Sequence, residues 1–240
     1  LNLTLSGKPI LHRVSFQLKP GELVAVVGEV GSGKSMLALS LLGETSASFD
    51  AFRIGNEDAL RLSVIERRRR FGFVPQDGFV ASASLRDNVV FNYGAGPEHD
   101  EEIRRSLRLS QFDIDRESLP EGLETEIGER GVNLSGGQRQ RVALARAHFY
   151  DRPILILDDS LSAVDVDTEK KLLADLIEGD WKDRTRLLIT HRLSVLPDVH
   201  RILFLEHGRL TADGTFEELL RSSDAFRAFV DVLSRQKVGS

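Results

Sequence analysis

The chain has 240 residues, a formal net charge of −5 and no cysteine. That length suits one large domain, or a core with a subdomain, and the missing cysteines exclude disulfides and thiolate metal sites. The mild charge gives no global electrostatic case for nucleic acid, and no apolar run approaches the roughly 18–20 residues that span a bilayer.

Taken in chain order, Val14–Leu18 reads as a strand, and the apolar, β-branched run Leu23–Val27 as a buried one. A glycine-rich loop follows, then a helix opening at Met36–Leu42 and a strand at Phe71–Val74. From Ala83 to about Tyr150 the pattern turns helical and charged, with helices expected over Leu85–Phe91, Glu101–Leu109 and Gly136–Tyr150. Strands return at Ile154–Leu157, Leu187–Thr190 and Ile202–Glu206 with helices between them, and Phe216–Arg221 and Ala225–Arg235 close the chain as a helix pair. Strands alternating with helices predict an α/β fold with a mostly parallel sheet covered on both faces. The helical middle reads as a subdomain inserted between sheet strands. No leader peptide is evident, and the start at Leu1, inside a pattern, suggests a piece of a longer protein.

The segment Gly28, Glu29, Val30, Gly31, Ser32, Gly33, Lys34, Ser35 fits G-x-x-x-x-G-K-[ST]. It stands between the buried strand and the helix that opens at Met36, the context that separates a phosphate loop from an ordinary glycine turn. Glycines let backbone N–H groups approach phosphate oxygens, and the helix N-terminus favours negative charge. Lys34 is placed to reach the β- and γ-phosphates and Ser35 to ligate Mg²⁺, so the chain is expected to bind a nucleoside triphosphate. Ile154–Asp158 is an apolar strand ending in a carboxylate, which puts Asp158 where α/β sheets hold ligands and suits it to Mg²⁺. Leu134-Ser135-Gly136-Gly137-Gln138 opens a helix: Ser135 is a good N-cap, and the two glycines bare the first amides as an anion seat. Arg67–Arg70 could suggest nucleic acid but reads better as a solvated helix end.

The string Leu134 to Gln138 resembles the signature of ATP-binding cassette proteins. The phosphate loop, Gln76 after Phe73-Val74-Pro75, Ser162–Asp165 and His191 follow in that family's order, so the resemblance covers essentially the whole chain. It implies a P-loop NTPase core of RecA type with an N-terminal antiparallel β part, from 1–76 and 151–240, and an inserted α-helical subdomain over 77–150. It also implies a head-to-tail pair of cassettes with ATP between one phosphate loop and the partner's signature. Gln76 would then sense Mg²⁺ and the attacking water and link to the transport domain, His191 would contact the γ-phosphate, and Ser162–Asp165 would line the dimer interface. Thr125–Gly131 resembles the segment by which exporters contact the coupling helices of a transmembrane domain. Ser84–Val89 and Asp158–Asp165 are similar to exporter cassettes, above all first cassettes of multidrug-resistance-protein-like or heterodimeric bacterial exporters. By this resemblance the domain would sit at the cytoplasmic side of a membrane, held there through its transmembrane domain, with no nucleic-acid partner.

The chain departs from the family pattern in two places. The position after Asp158, normally a catalytic Glu, is Asp159, and one methylene withdraws that carboxylate by roughly 1 Å from the water it must polarise. Around Leu1–Leu5 there is no aromatic to stack on adenine. Both changes predict a site that binds ATP and hydrolyses it slowly. The rival readings are a fully active homodimeric exporter ATPase and a non-transport cassette ATPase of DNA repair or translation. The DNA-repair type carries a long coiled coil between loop and signature, and no heptad run lies between Ser35 and Leu134. The translation type carries two cassettes in one chain where this sequence has one; a piece of such a chain would also show one, but the exporter-like segment Glu126–Gly131 argues against that origin.

Overall fold

The computed structural model describes residues 1–114, 119–128 and 131–238. In chain order they form β1 (Leu3–Leu5), β2 (Lys8–Leu11), β3 (Leu23–Val27), α1 (Lys34–Leu42), β4 (Arg53–Ile54), β5 (Glu57–Asp58), α2 (Val64–Arg68) and β6 (Phe71–Val74). Next come β7 (Ala83–Ser84), α3 (Leu85–Val90), α4 (Asp100–Leu109), β8 (Glu126–Ile127), α5 (Gly136–Tyr150), β9 (Ile154–Asp158) and α6 (Val166–Glu178). The chain ends with β10 (Thr185–Ile189), β11 (Arg201–Glu206), β12 (Arg209–Gly214), α7 (Phe216–Ser222) and α8 (Asp224–Val238). Two compact units result, Leu1–Phe71 with Asp183–Ser240 and, separately, Gly72–Lys182.

In the first unit β3 is buried along its whole length, because every one of its residues is apolar. It runs parallel to β10 on one side and to β11 on the other, with Ala25 opposite Leu188 and Ile202 respectively. β12 adds an antiparallel edge to β11, and β1 and β2 form a separate antiparallel hairpin. The stretch 14–18 forms no strand, contrary to its sequence pattern. Its polar backbone is satisfied singly instead: Val14 N donates to Leu1 O at 3.0 Å, the terminal amino group donates to Val14 O, and Arg201 donates to Gln17 O. The arginine run is absorbed inside this unit, since Arg68 pairs with Glu44 at 2.8 Å, Arg70 with Glu57 at 2.7 Å, and Arg67 lies over the Phe52 ring.

The second unit is built on α3, α4 and α5, which bury Leu85, Val89, Ile103, Leu107 and Val142 against one another. Arg86 is buried beside them and donates to Asp100 at 2.8 Å and to Glu124. A hydrogen bond from Arg86 holds the Asp100 carboxyl below the usual carboxylate range. β6 and β9 neighbour each other, and β9 is buried from Leu155 to Asp158. Glu129 and Arg130, within the segment Thr125–Gly131 singled out above, lie outside the described residues.

Candidate nucleotide site

The buried strand β3 delivers the chain directly into Gly28, where the backbone presses on β11: a Cβ there would lie 2.1 Å from Leu205 O. Five residues on, Gly33 caps α1 in the left-handed region at φ 104°, and its missing Cβ would meet Leu11 Cδ2 at 2.9 Å. No other residue type fits either position without moving backbone or core. Between them the loop turns outward, leaving Glu29, Val30 and Gly31 exposed and Ser32 buried. Lys34 folds back across this loop and donates to Gly28 O and Glu29 O, both at 2.8 Å, with Ser32 Oγ at 3.5 Å. Helix α1 has no side-chain N-cap and no acid in its first turn, which holds Lys34, Ser35 and Met36. Its positive end, together with the Lys34 ammonium, makes a seat for an anion.

His191 belongs to the same end of the same unit. Ile189 of β10 lies opposite Val26 of the parallel β3, and Thr190 N donates to Val26 O at 3.2 Å. His191 and the phosphate loop thus leave the carboxyl ends of adjacent parallel strands, where open α/β sheets bind ligands. His191 is exposed there, and Arg192 N folds onto Thr190 Oγ1 at 3.1 Å to shape the turn.

The remaining expected residues lie in the second unit. Asp158 closes β9 and is buried. Asp159 follows at φ 46°, a left-handed conformation in which Asp is enriched over most residues, and its carbonyl accepts from Ser162 N at 3.1 Å to close the turn. Ser135 caps α5 by accepting from Gln138 N at 3.2 Å while Gln138 Oε1 accepts from Ser135 N, and α5 carries no acid in its first turn. Gly136 and Gly137 open that helix, and a Cβ on Gly137 would lie 2.7 Å from Ala163 O. Asp165 caps α6, and hydrogen bonds from Thr168 pull its carboxyl down to about 2. Gln76 is exposed, and its carbonyl accepts from Gln140 Nε2 at 2.7 Å. Gly28 to Met36 and His191 thus belong to one unit, and Gln76, Ser135 to Gln138, Asp158 and Asp159 to the other. Gln140 escaped the sequence reading, although a polar residue in register with Ala143, Leu144 and Ala147 on the buried face of α5 was the available signal.

Among the described residues no group of three or more His, Asp or Glu could enclose a metal ion. The hydroxyl of Ser35 and the carboxylate of Asp158 are hard oxygen donors of the kind Mg²⁺ takes, and that ion usually keeps waters and phosphate oxygens as its other ligands. Each by its own chemistry therefore suits Mg²⁺ carried in with a nucleotide.

The family model described as ABC transporter matches residues 11–162. The chain belongs to the ABC transporter family. This ABC cassette is 37% identical over 225 residues to "ABC transporter C family member 9" of Arabidopsis thaliana, covering 94% of the chain and 14% of that protein. It is 38% identical over 222 residues to "Probable multidrug resistance ABC transporter ATP-binding/permease protein YheI" of Bacillus subtilis, covering 90% of the chain and 37% of that protein. A bacterial Atm1-family ABC exporter solved with ATP bound superposes with a TM-score of 0.86 at 32% identity, over 98% of the cassette and 40% of that chain. The cassette therefore spans well under half the length of these relatives. Its architecture is that of the ABC ATPases: α/β, with a mostly parallel sheet and antiparallel strands at the N-terminus.

Proposed function

We propose that this chain is the ATP-binding and ATP-hydrolysing motor domain of an ABC exporter, working as one member of a head-to-tail cassette pair. The observation that carries the proposal is the loop Gly28–Ser35, poised at the end of β3 with Lys34 drawn across it and an uncapped helix end behind it. In this reading the loop amides and Lys34 bind the triphosphate, and Ser35, Asp158 and Gln76 would hold Mg²⁺, which when bound neutralises charge on the phosphates. Asp159 polarises the attacking water, His191 meets the γ-phosphate, and Ser135 to Gln138 complete the site of the partner cassette. The middle segment 77–150 is the helical subdomain of this scheme.

The similarity to an exporter structure and to a permease-linked cassette supports export and a transmembrane-domain partner. So does an exposed aromatic pair near Gln76: Phe79 and Phe91 meet edge to face at 6.2 Å, and Arg146 lies over Phe91 at 4.4 Å. Among the described residues no helix is long and apolar enough to cross a membrane. The short carboxylate of Asp159 favours the hydrolytically weak member of an unequal pair, rather than an identical partner. The test is Lys34→Ala, which removes the main side-chain counterion of the phosphates. Mg·ATP affinity measured by calorimetry is expected to fall at least about tenfold, and unchanged affinity would overturn the assignment.

A further inference from the structure

Gln140 is a long polar side chain in the middle of α5, only 2% exposed, and no part of the phosphate-binding scheme accounts for it. Its amide group is used in full by two loops. Nε2 donates to Gln76 O at 2.7 Å and lies 3.5 Å from Ser162 Oγ, while Oε1 accepts from Ala163 N at 3.1 Å. The backbone packs as closely as the side chain bonds. A Cβ on Gly78 would lie 2.4 Å from the carbonyl carbon of Arg139 and 2.6 Å from Gln140 N, and one on Gly137 would lie 2.7 Å from Ala163 O. Three segments are thereby clamped at one point: 76–78, the first turns of α5 and the turn that begins at Asp159. That turn is closed on its other side by Ser162 N donating to Asp159 O.

From this geometry we infer that Gln140 is a positioning residue for ATP hydrolysis. It ties Gln76 and the 159–163 turn to the signature helix so that they hold one register and move as a block. The inference rests on the proposed ATPase function. A buried amide is suited to the task because it offers two donors and an acceptor on one planar group, so both loops are fixed relative to each other as well as to α5. Gln140 is too deeply buried to meet nucleotide itself, and its influence runs through the carbonyl of Gln76 and the amide of Ala163. An error of about 1 Å in the reacting groups can cost about a hundredfold in rate, whereas nucleotide affinity depends on the phosphate loop.

Two substitutions separate the two ties in the full-length protein that contains this cassette. Gln140→Met keeps the volume and removes both bonds; Gln140→Glu keeps an acceptor for Ala163 N and, assayed at a pH where the carboxyl is ionised, has no proton to donate to Gln76 O. Turnover of Mg·ATP is expected to fall at least about tenfold in Gln140→Met with KM for ATP within about twofold, the signature of a lost transition-state arrangement. Hydrogen exchange is expected to quicken at Ala163 in Gln140→Met and stay near wild type there in Gln140→Glu. If Gln140→Met fails to fold, Gln140→Glu decides, with the same split of kcat and KM expected. Wild-type kcat in both variants, or a rise in KM equal to the fall in kcat, would overturn the inference while leaving the ATPase proposal intact. Absence of Mg·ATP turnover in the wild-type protein would instead overturn that proposal.

Discussion

Replacing Asp159 by Glu is expected to raise ATP turnover and lower stability at once. The added methylene carries the carboxylate forward by about 1 Å, and an offset of that size is worth about a hundredfold in rate, or about 2.7 kcal/mol of barrier. Against this stands the backbone, which holds residue 159 at φ 46°. Asp tolerates that conformation better than Glu, so the exchange costs about 1 kcal/mol of folding stability. For a domain of this size such a loss lowers Tm by about 2–4 °C. The turn survives the change because Ser162 N and the Gln140 clamp fix it from both sides. Steady-state hydrolysis of Mg·ATP and a thermal melt on the same samples read the two effects separately. A rise in kcat of about 10- to 100-fold with a small drop in Tm is expected. A lowered Tm with unchanged kcat would show that reach does not limit the reaction, and brisk wild-type turnover would refute the weak-site reasoning altogether.

Asp158→Asn is expected to flatten the Mg²⁺ dependence of ATP binding, whereas Asp159→Asn should leave binding nearly unchanged; equal loss in both, measured by nucleotide titration with and without Mg²⁺, would refute their division into metal ligand and water-polarising group. Asp100→Asn removes the principal partner of the buried Arg86 and is expected to cost about 1–2 kcal/mol at neutral pH. Because Arg86 lowers the folded-state pKa of Asp100, that stabilisation is fully present above the ordinary carboxylate value near ~4 and is lost as pH falls through the lowered one. Denaturant melts of wild type and variant should therefore converge in acid, and a constant gap from pH 7 to pH ~3 would contradict the ion-pair account.

The sequence was most legible where one physical cause acted alone. Leu23–Val27 is apolar at every position, and Gly136–Tyr150 has a strong cap at Ser135 and an unbroken helical run, so both appear with the bounds expected of them. Val14–Leu18 misled because β-branched and aromatic residues argue for a strand, while strand formation needs a ladder partner that the chain does not supply there. β12 went unread for the opposite reason: its alternating half-buried and exposed residues, Arg209 to Gly214, belong to a sheet edge whose neighbour β11 decides its conformation. At the site, the glycine loop and the strand-end carboxylate were readable because their chemistry is local in sequence. The Gln140 clamp joins residues 64 and 23 positions away, and only the fold brings those together.

The two units have different claims on the growing polypeptide. Gly72–Lys182 is continuous in sequence, so all of its own residues, the helices α3, α4 and α5 among them, have been synthesised once its last residue emerges. Leu1–Phe71 must wait: its central strand β3 is flanked only by β10 and β11, and the contact between Arg186 and Gly21 O spans 165 residues. Until those late strands arrive, the all-apolar run Leu23–Val27 has no permanent neighbour and is an aggregation hazard. A ribosome stalled after residue 182 would carry the complete helical core of α3, α4 and α5 in the middle and an unpaired, sticky strand ahead of it, so the first seventy-one residues are the part most exposed to misassociation during synthesis.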